Sequence, residues 1–156
     1  MKTAKSILIE NDIRPSYHRV RIMCYLMKNK IHPTAESIYR ELLEETQTIS
    51  KVTVYNTLNL FRKKGLVNTL DISGEETRFD ITTTPHPHFL CTECGEVTDY
   101  KEMDAPLDKI IGESPYIKDV QLVLRGVCEK CRNPMDEKKL SVQDKEEARL
   151  YYFKVH

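Results

Sequence analysis

The sequence predicts an α+β fold in two parts, a helical unit closed by a β-hairpin and a smaller α/β module. Three observations predict it. Up to Gly65, apolar residues recur at helical spacing. Residues 66–81 hold two short runs of strand-forming residues on either side of Ser73-Gly74, the pattern of a hairpin. Further on, two Cys-x-x-Cys pairs, Cys91-Thr92-Glu93-Cys94 and Cys128-Glu129-Lys130-Cys131, have the spacing of a closed tetrahedral zinc site.

The elements follow in chain order. Residues 2–11 form a short helix. A second runs from about Ser16 to Asn29, with Val20, Met23, Cys24 and Met27 on one face, so Cys24 is expected in the core. His32-Pro33-Thr34 breaks that helix and starts a third, with Pro33 suited to its first turn and Thr34 to its cap. Ile38, Leu42 and Leu43 make the apolar stripe of the third helix. Ser50 caps a fourth, in which Val54, Leu58 and Phe61 recur at helical spacing until Gly65 stops it. Strands at Leu66–Ile72 and Thr77–Ile81 complete the hairpin. Three helices and a hairpin make a winged helix-turn-helix. Residues 82–87, Thr-Thr-Thr-Pro-His-Pro, read as a linker. Beyond it, strands at His88–Cys91 and Val97–Tyr100 flank the first cysteine clip. A helix follows from Asp104, with Pro106 in its first turn. Val120, Leu122 and Leu124 alternate in a strand leading to the second clip. The tail at 134–156 is highly charged and shows no motif.

Charge divides the chain as the elements do. Its net charge is zero, but residues 1–70 hold twelve Lys or Arg against six Asp or Glu, and residues 71–156 hold twelve against eighteen. A basic front joined to an acidic, ligand-rich back suggests a nucleic-acid binder fused to a metal-binding module. The exposed face of the Ser50 helix carries Lys51, Thr53, Tyr55, Asn56, Asn59, Arg62 and Lys63, residue types that suit phosphates and base edges in a major groove. An ordinary solvated helix face is the other reading of the same residues. Hydrophobic content of 40% supports one core, and two small ones when a metal helps.

Metal chemistry is expected at two places. Four thiolates, Cys91, Cys94, Cys128 and Cys131, can close around Zn²⁺. Two disulfides are the alternative, and they fit a secreted chain. Met1-Lys2-Thr3-Ala4-Lys5 opens an amphipathic segment rather than a leader, and no stretch is long and apolar enough to span a bilayer. A reducing, cytoplasmic compartment is therefore expected. Just ahead of the first clip stand His86-Pro87-His88, two imidazoles on one side of an extended segment that can share another metal.

These pieces in this order resemble the ferric uptake regulator family. The resemblance runs to about Cys131 and is carried by His32-Pro33-Thr34-Ala35, Thr53-Val54-Tyr55-Asn56, Gly65-Leu66-Val67, Arg78-Phe79-Asp80 and the segment from His86 to Asp99. It implies a winged-helix DNA-binding domain at 1–81, a hinge at 82–87 and an α/β dimerisation and metal-binding domain at 88–133. It also implies a homodimer on a palindromic operator. His32, Asp80, His86, His88 and Asp99 match the family's regulatory ligands, a nitrogen and oxygen set that suits Fe²⁺, Mn²⁺ or Zn²⁺. Arg14 and Arg19 keep their places near the second helix, Arg14 reaching an adjacent minor groove by resemblance. Pro15 and Ser16-Tyr17-His18-Arg19 depart from the family's usual run into that helix.

Taken singly, each ligand has a plainer role. His32 can simply open a helix, Asp80 can pair with Arg78 or a lysine, and Asp99 can be a strand-end carboxylate. Asp99 also points within the family. Iron sensors usually have Glu there, and the peroxide-sensing repressors usually have Asp. The branch implied is one in which peroxide reacts at bound iron and oxidises a ligand histidine, His32 or His86. An iron- or zinc-responsive uptake regulator on the same fold is the near alternative. A metallo-hydrolase is the alternative of another class, against which stands the lack of an evident general base or nucleophile.

Overall fold

The computed structural model describes residues 2–29, 32–46, 48–72, 76–100, 116 and 120–132. Four helices open the chain: α1 (Ala4–Glu10), α2 (Tyr17–Lys28), α3 (Ala35–Glu45) and α4 (Lys51–Lys63). Each begins with a hydroxyl residue in extended conformation whose side chain accepts an orphan N–H of the first turn. Thr3 accepts from Ser6, Ser16 from Arg19, Thr34 from Ser37 and Ser50 from Thr53. Such caps contribute about 1 kcal/mol each. The Ser16 cap gives α2 an ordinary start, despite the unusual residues around it. Gly65, at φ +67°, ends α4. Its N–H donates to the Arg62 carbonyl and that of Leu66 to the Phe61 carbonyl, and the chain reverses toward the hairpin.

Leu8, Ile22, Met23, Leu26, Ile38, Leu42, Val54, Leu58 and Phe61 are buried together as one core. Two expectations need correction. Cys24 is exposed, because the buried seam of α2 runs through Ile22, Met23 and Leu26, with Val20 and Met27 on its margins. Leu43 is exposed as well. Ala35, Ile38 and Leu42 bury the stripe of α3, and a residue one step past Leu42 is turned about 100° away.

The wing consists of β1 (Asn68–Leu70) and β2 (Arg78–Asp80), antiparallel with Asn68 opposite Asp80. Both strands are shorter than the sequence suggests, and Ser73-Gly74 lies outside the described residues. The other edge of β2 meets the loop ahead of α3. Phe79 N–H donates to the Pro33 carbonyl at 2.9 Å, and Thr34 bridges to Arg78. This pairing brings His32 beside Asp80.

A second sheet has the order β4-β3-β5, from β3 (His88–Cys91), β4 (Val97–Asp99) and β5 (Val123–Gly126). β4 runs antiparallel to β3 and β5 parallel to it. β5 starts later than the alternation at Val120, Leu122 and Leu124 suggests. Leu122 still accepts a hydrogen bond from His88 N–H at 2.9 Å. Leu70 and Ile72 of the wing side bury against Leu90 and Val97 of this sheet, so the two parts share a small apolar core. The Gln121 amide adds a polar link, accepting from Asp71 N–H and donating to the Thr69 carbonyl, each at 3.1 Å. The helix expected from Asp104 and the tail at 134–156 lie outside the described residues. Among the described residues, no helix is long and apolar enough to cross a membrane.

Candidate metal centres and nucleic-acid face

Three imidazoles and two carboxylates meet where the loop ahead of α3, the end of β2, the linker and the β3/β4 pair converge. One ligand atom each from His32, Asp80, His86 and His88 lie within 4.8 Å of one another. Asp99 joins through Oδ1, 3.0 Å from His32 Nε2 and 3.1 Å from His86 Nε2. Asp80 stands 3.4 Å from His86 Nε2, 3.7 Å from His88 Nε2 and 3.9 Å from His32 Nε2. The backbone orients two of the rings. His32 Nδ1 is 3.2 Å from the Val97 carbonyl and His86 Nδ1 is 2.8 Å from the Thr84 carbonyl, so Nδ1–H donates and Nε2 keeps its lone pair for the centre.

Electrostatics prepare the same set for a cation. Burial lowers the His32 pKa against the pull of Asp80 and Asp99, which favours a neutral imidazole. Burial also pushes Asp80 upward. The His88 imidazole, the Thr82 N–H and the facing rings of His32 and His86 outweigh it, and the carboxyl sits below its ordinary value. His88 Nδ1 and Nε2 and His32 Nε2 are buried without a hydrogen-bond partner among the described residues. Such atoms cost about 1–3 kcal/mol each when left unsatisfied. A divalent ion at the centre answers that cost for the two Nε2 atoms. The enclosure is uneven. His32, His88 and Asp80 side chains are 2%, 5% and 6% exposed, whereas His86 is 19% and Asp99 29%. The centre therefore opens on the His86–Asp99 side. A cleft of about 400 Å³, whose lining includes Asp80, Thr84, His86 and His88 but not Asp99, also borders the centre.

For His32 and Asp80 the geometry differs from the plainer roles, while Asp99 does end β4. His32 does not cap α3, which Thr34 does, and its φ of +48° turns it back toward the wing. Asp80 accepts from Thr82 N–H at 2.8 Å and faces the imidazoles, while Arg78 turns to the carbonyl of Gly95.

The cysteines form a second cluster, with one sulfur each of Cys91, Cys94, Cys128 and Cys131 within 4.8 Å of the others. All are free thiols, which overturns the disulfide alternative. The Cys94–Cys128 separation of 3.9 Å fits an edge of a zinc–sulfur tetrahedron, roughly 3.8 Å for bonds of about 2.3 Å. Hydrogen bonds from the backbone N–H groups of Cys128 and Cys94 hold the Cys91 thiol down to about 6. Cys131 is pushed up to about 12, chiefly by its neighbour Cys128. Four sulfurs this close cannot all ionise without a cation among them.

In the wing domain, α4 buries Val54, Thr57, Leu58 and Phe61 and exposes Lys51, Tyr55, Asn56, Asn59, Arg62 and Lys63. Thr53 is half-buried, and its hydroxyl lies 2.8 Å from that of Ser50. Tyr55 is 45% exposed. Lys51 is not free: its Nζ lies 2.8 Å from Glu36 Oε2. Glu36 was missed in the sequence, since nothing there marks a partner on another helix. Arg14 is exposed, and its carbonyl accepts from the Arg19 guanidinium at 2.9 Å, so Arg19 braces the segment ahead of α2.

A family model described as the ferric uptake regulator family matches residues 10–124, well over half of the chain. The chain belongs to the ferric uptake regulator family. The peroxide operon regulator of Bacillus subtilis is 33% identical over 136 residues, covering 84% of this chain and 92% of that protein. The peroxide-responsive repressor of Staphylococcus epidermidis is 32% identical over 125 residues, covering 77% and 82%. Among solved structures, the ferric uptake regulator of Pseudomonas aeruginosa with manganese superposes with a TM-score of 0.65 at 27% identity, over 82% of this chain and 99% of that one. A zinc-bound manganese uptake regulator gives the same score and identity over 81% and 99%. Members of this family are DNA-binding dimeric regulators rather than enzymes, which removes the metallo-hydrolase alternative.

Proposed function

We propose that this chain is a metal-dependent transcriptional repressor that senses peroxide by iron-catalysed oxidation of a ligand histidine. The observation that carries the reading is the convergence of His32, Asp80, His86 and His88 on one space, with Asp99 on its open side. His32, Asp80, His86, His88 and Asp99 would hold Fe²⁺ or Mn²⁺ between residues 1–81, the hinge at 82–87 and the module at 88–133, and a metal there would fix the angle between recognition helix and dimerisation domain. A metal with higher affinity for that closed arrangement shifts the population toward it. Cys91, Cys94, Cys128 and Cys131 hold a structural Zn²⁺ that supports the dimer. Tyr55 and Asn56 stand near bases, Lys51 and Thr53 near phosphates, and Arg14 and Arg19 at the flank, on a palindromic operator that mirrors the two-fold of a cytoplasmic homodimer.

Fe²⁺ held by these residues would supply an electron to open the peroxide O–O bond and would regain one as the ring is oxidised, so that iron is not consumed. Overall, one peroxide yields one water and one oxygen atom on an imidazole carbon, whose hydrogen moves to a ring nitrogen. His86 borders the open side, and His32, though buried, shares Asp99 Oδ1 with it, so these two rings stand next to the open position. An oxidised ring is a poorer ligand, the metal leaves, and DNA is released. The zinc-bound thiolates are spared at low peroxide, because Zn²⁺ is redox-inert and its shell is closed.

The test compares Fe²⁺-loaded with Mn²⁺-loaded protein under mild peroxide, by peptide mass spectrometry and operator binding. One added oxygen on His32 or His86, with loss of DNA binding, is expected with iron alone. Equal responses from both forms, or oxidation falling first on cysteine, would overturn the peroxide mechanism. Metal-specific DNA binding with no histidine oxidation would assign the chain to the uptake regulators of the same fold.

A further inference from the structure

Arg78 lies on β2, two residues before Asp80, and its side chain leaves the wing for the second sheet. Its Nη2 donates to the Gly95 carbonyl at 3.0 Å, and its Nη1 lies 3.5 Å from the His32 carbonyl. Those two carbonyls belong to different metal centres. Gly95 closes the turn of the first cysteine clip, with φ +70° and its N–H donating to the Cys91 carbonyl at 2.9 Å. His32 carries one of the imidazoles and holds a φ of +48°, a left-handed conformation that few residues with a β-carbon adopt. Two left-handed residues, one in each centre, thus present their carbonyls to one guanidinium. A planar fork with five N–H donors can span both at once, and a lysine ammonium is a point charge that cannot hold the same geometry.

We propose that Arg78 is a positioning residue that ties the zinc-clip turn to His32, so that the two metal centres stabilise one another. The proposal rests on the reading of His32 as a regulatory ligand. Coupling of this kind is reciprocal. If an ordered clip turn holds His32 in its left-handed conformation and so raises affinity at the regulatory centre, then occupancy there must order the clip turn by the same free energy.

Zinc-loaded, full-length dimer is titrated with Mn²⁺, as wild type and as Arg78→Lys, and backbone hydrogen exchange is followed at Gly95–Val97. In the wild type, Mn²⁺ is expected to slow exchange at those amides. In Arg78→Lys, zinc content is expected to stay at the wild-type value, Mn²⁺ affinity to fall by about tenfold, within the usual range of coupling, and the protection to vanish. A merely structural role would release zinc from the variant even without Mn²⁺, and that result overturns the proposal, as does unchanged Mn²⁺ affinity in the variant. The wild-type exchange measurement stands without any variant, and Mn²⁺ that binds yet leaves Gly95–Val97 unprotected overturns the link. Mn²⁺ binding that survives His32→Ala at full affinity would instead sink the ligand reading itself.

Discussion

His88 stands opposite Asp99 in the antiparallel register of β3 and β4, yet it is His86, two residues earlier, whose Nε2 reaches Asp99 Oδ1 at 3.1 Å. Residues directly opposite share a face of the sheet. His88 uses that position to sink beside Asp80, and Asp99 at the strand end is left for the linker residue and for His32, whose Nε2 lies 3.0 Å from it. The centre thus has a closed floor of His32, Asp80 and His88, and an open rim of His86 and Asp99.

The rim makes Asp99→Glu informative. One more methylene advances the carboxylate by roughly 1.5 Å and lets both oxygens cover the open side. Operator binding with Mn²⁺ should stay within about threefold of wild type, a shift under 1 kcal/mol. The Fe²⁺ form should release DNA at least about tenfold more slowly under peroxide, a barrier change near 1.4 kcal/mol. Fluorescence anisotropy on labelled operator reads both. Wild-type release kinetics in the variant would mean that the open rim does not control access.

Cys91→Ser tests the other centre. Cys91 lies at the end of β3, where its sulfur accepts from Cys128 N–H at 3.3 Å, so the clip pins the chain after β5 to the central strand. Metal binding and folding are linked in such sites. The variant should contain less zinc per chain and sediment as monomer or aggregate. One full zinc per chain with an unchanged dimer would show that this sulfur is not a ligand.

Much of this was legible in the residues. Thr34 and Ser50 mark the starts of α3 and α4 as caps, the Thr3 cap of α1 went unread, and the Cys-x-x-Cys spacing marks the second module on its own. The proposed ligand set was legible only through the family resemblance, because His32, Asp80 and Asp99 are separately unremarkable and meet through strand pairing. Periodicity misplaced Cys24 and Leu43, since an apolar residue at the margin of a helical stripe can fall on either side of it. Long-range polar partners left no trace: Arg78 with Gly95, Gln121 with the wing edge, and Glu36 with Lys51 depend on tertiary contact alone.

Gly65→Ala gives a stability change separate from function. Nothing lies within 4 Å of a β-carbon added at Gly65, so the substitution meets no clash and its cost is that of the left-handed backbone alone. That cost is about 1–2 kcal/mol. For a chain of this size the melting temperature should fall by roughly 2–8 °C, with operator affinity retained below the transition. An unchanged melting temperature would show that α4 does not end in the conformation described.

The ion pair between Lys51 and Glu36 sharpens the prediction for the DNA face. Glu36 accepts from Lys51 at 2.8 Å and from Arg40 Nε at 3.2 Å, which lowers its own pKa and raises that of Lys51. A phosphate approaching Lys51 must compete with this carboxylate. Tyr55→Ala, which removes an exposed ring from the middle of α4, should abolish preference for operator over random DNA while the dimer persists. Lys51→Ala should weaken binding to all sequences alike and reduce the salt slope by about one, the signature of a lost phosphate contact. Glu36→Gln should act in the opposite direction, tightening binding to random and operator DNA together by releasing Lys51 and Arg40. Titrations across a range of salt concentrations separate the three variants. Full operator preference in Tyr55→Ala would remove α4 from the major groove, and an unchanged salt slope in Lys51→Ala would remove Lys51 from the phosphates.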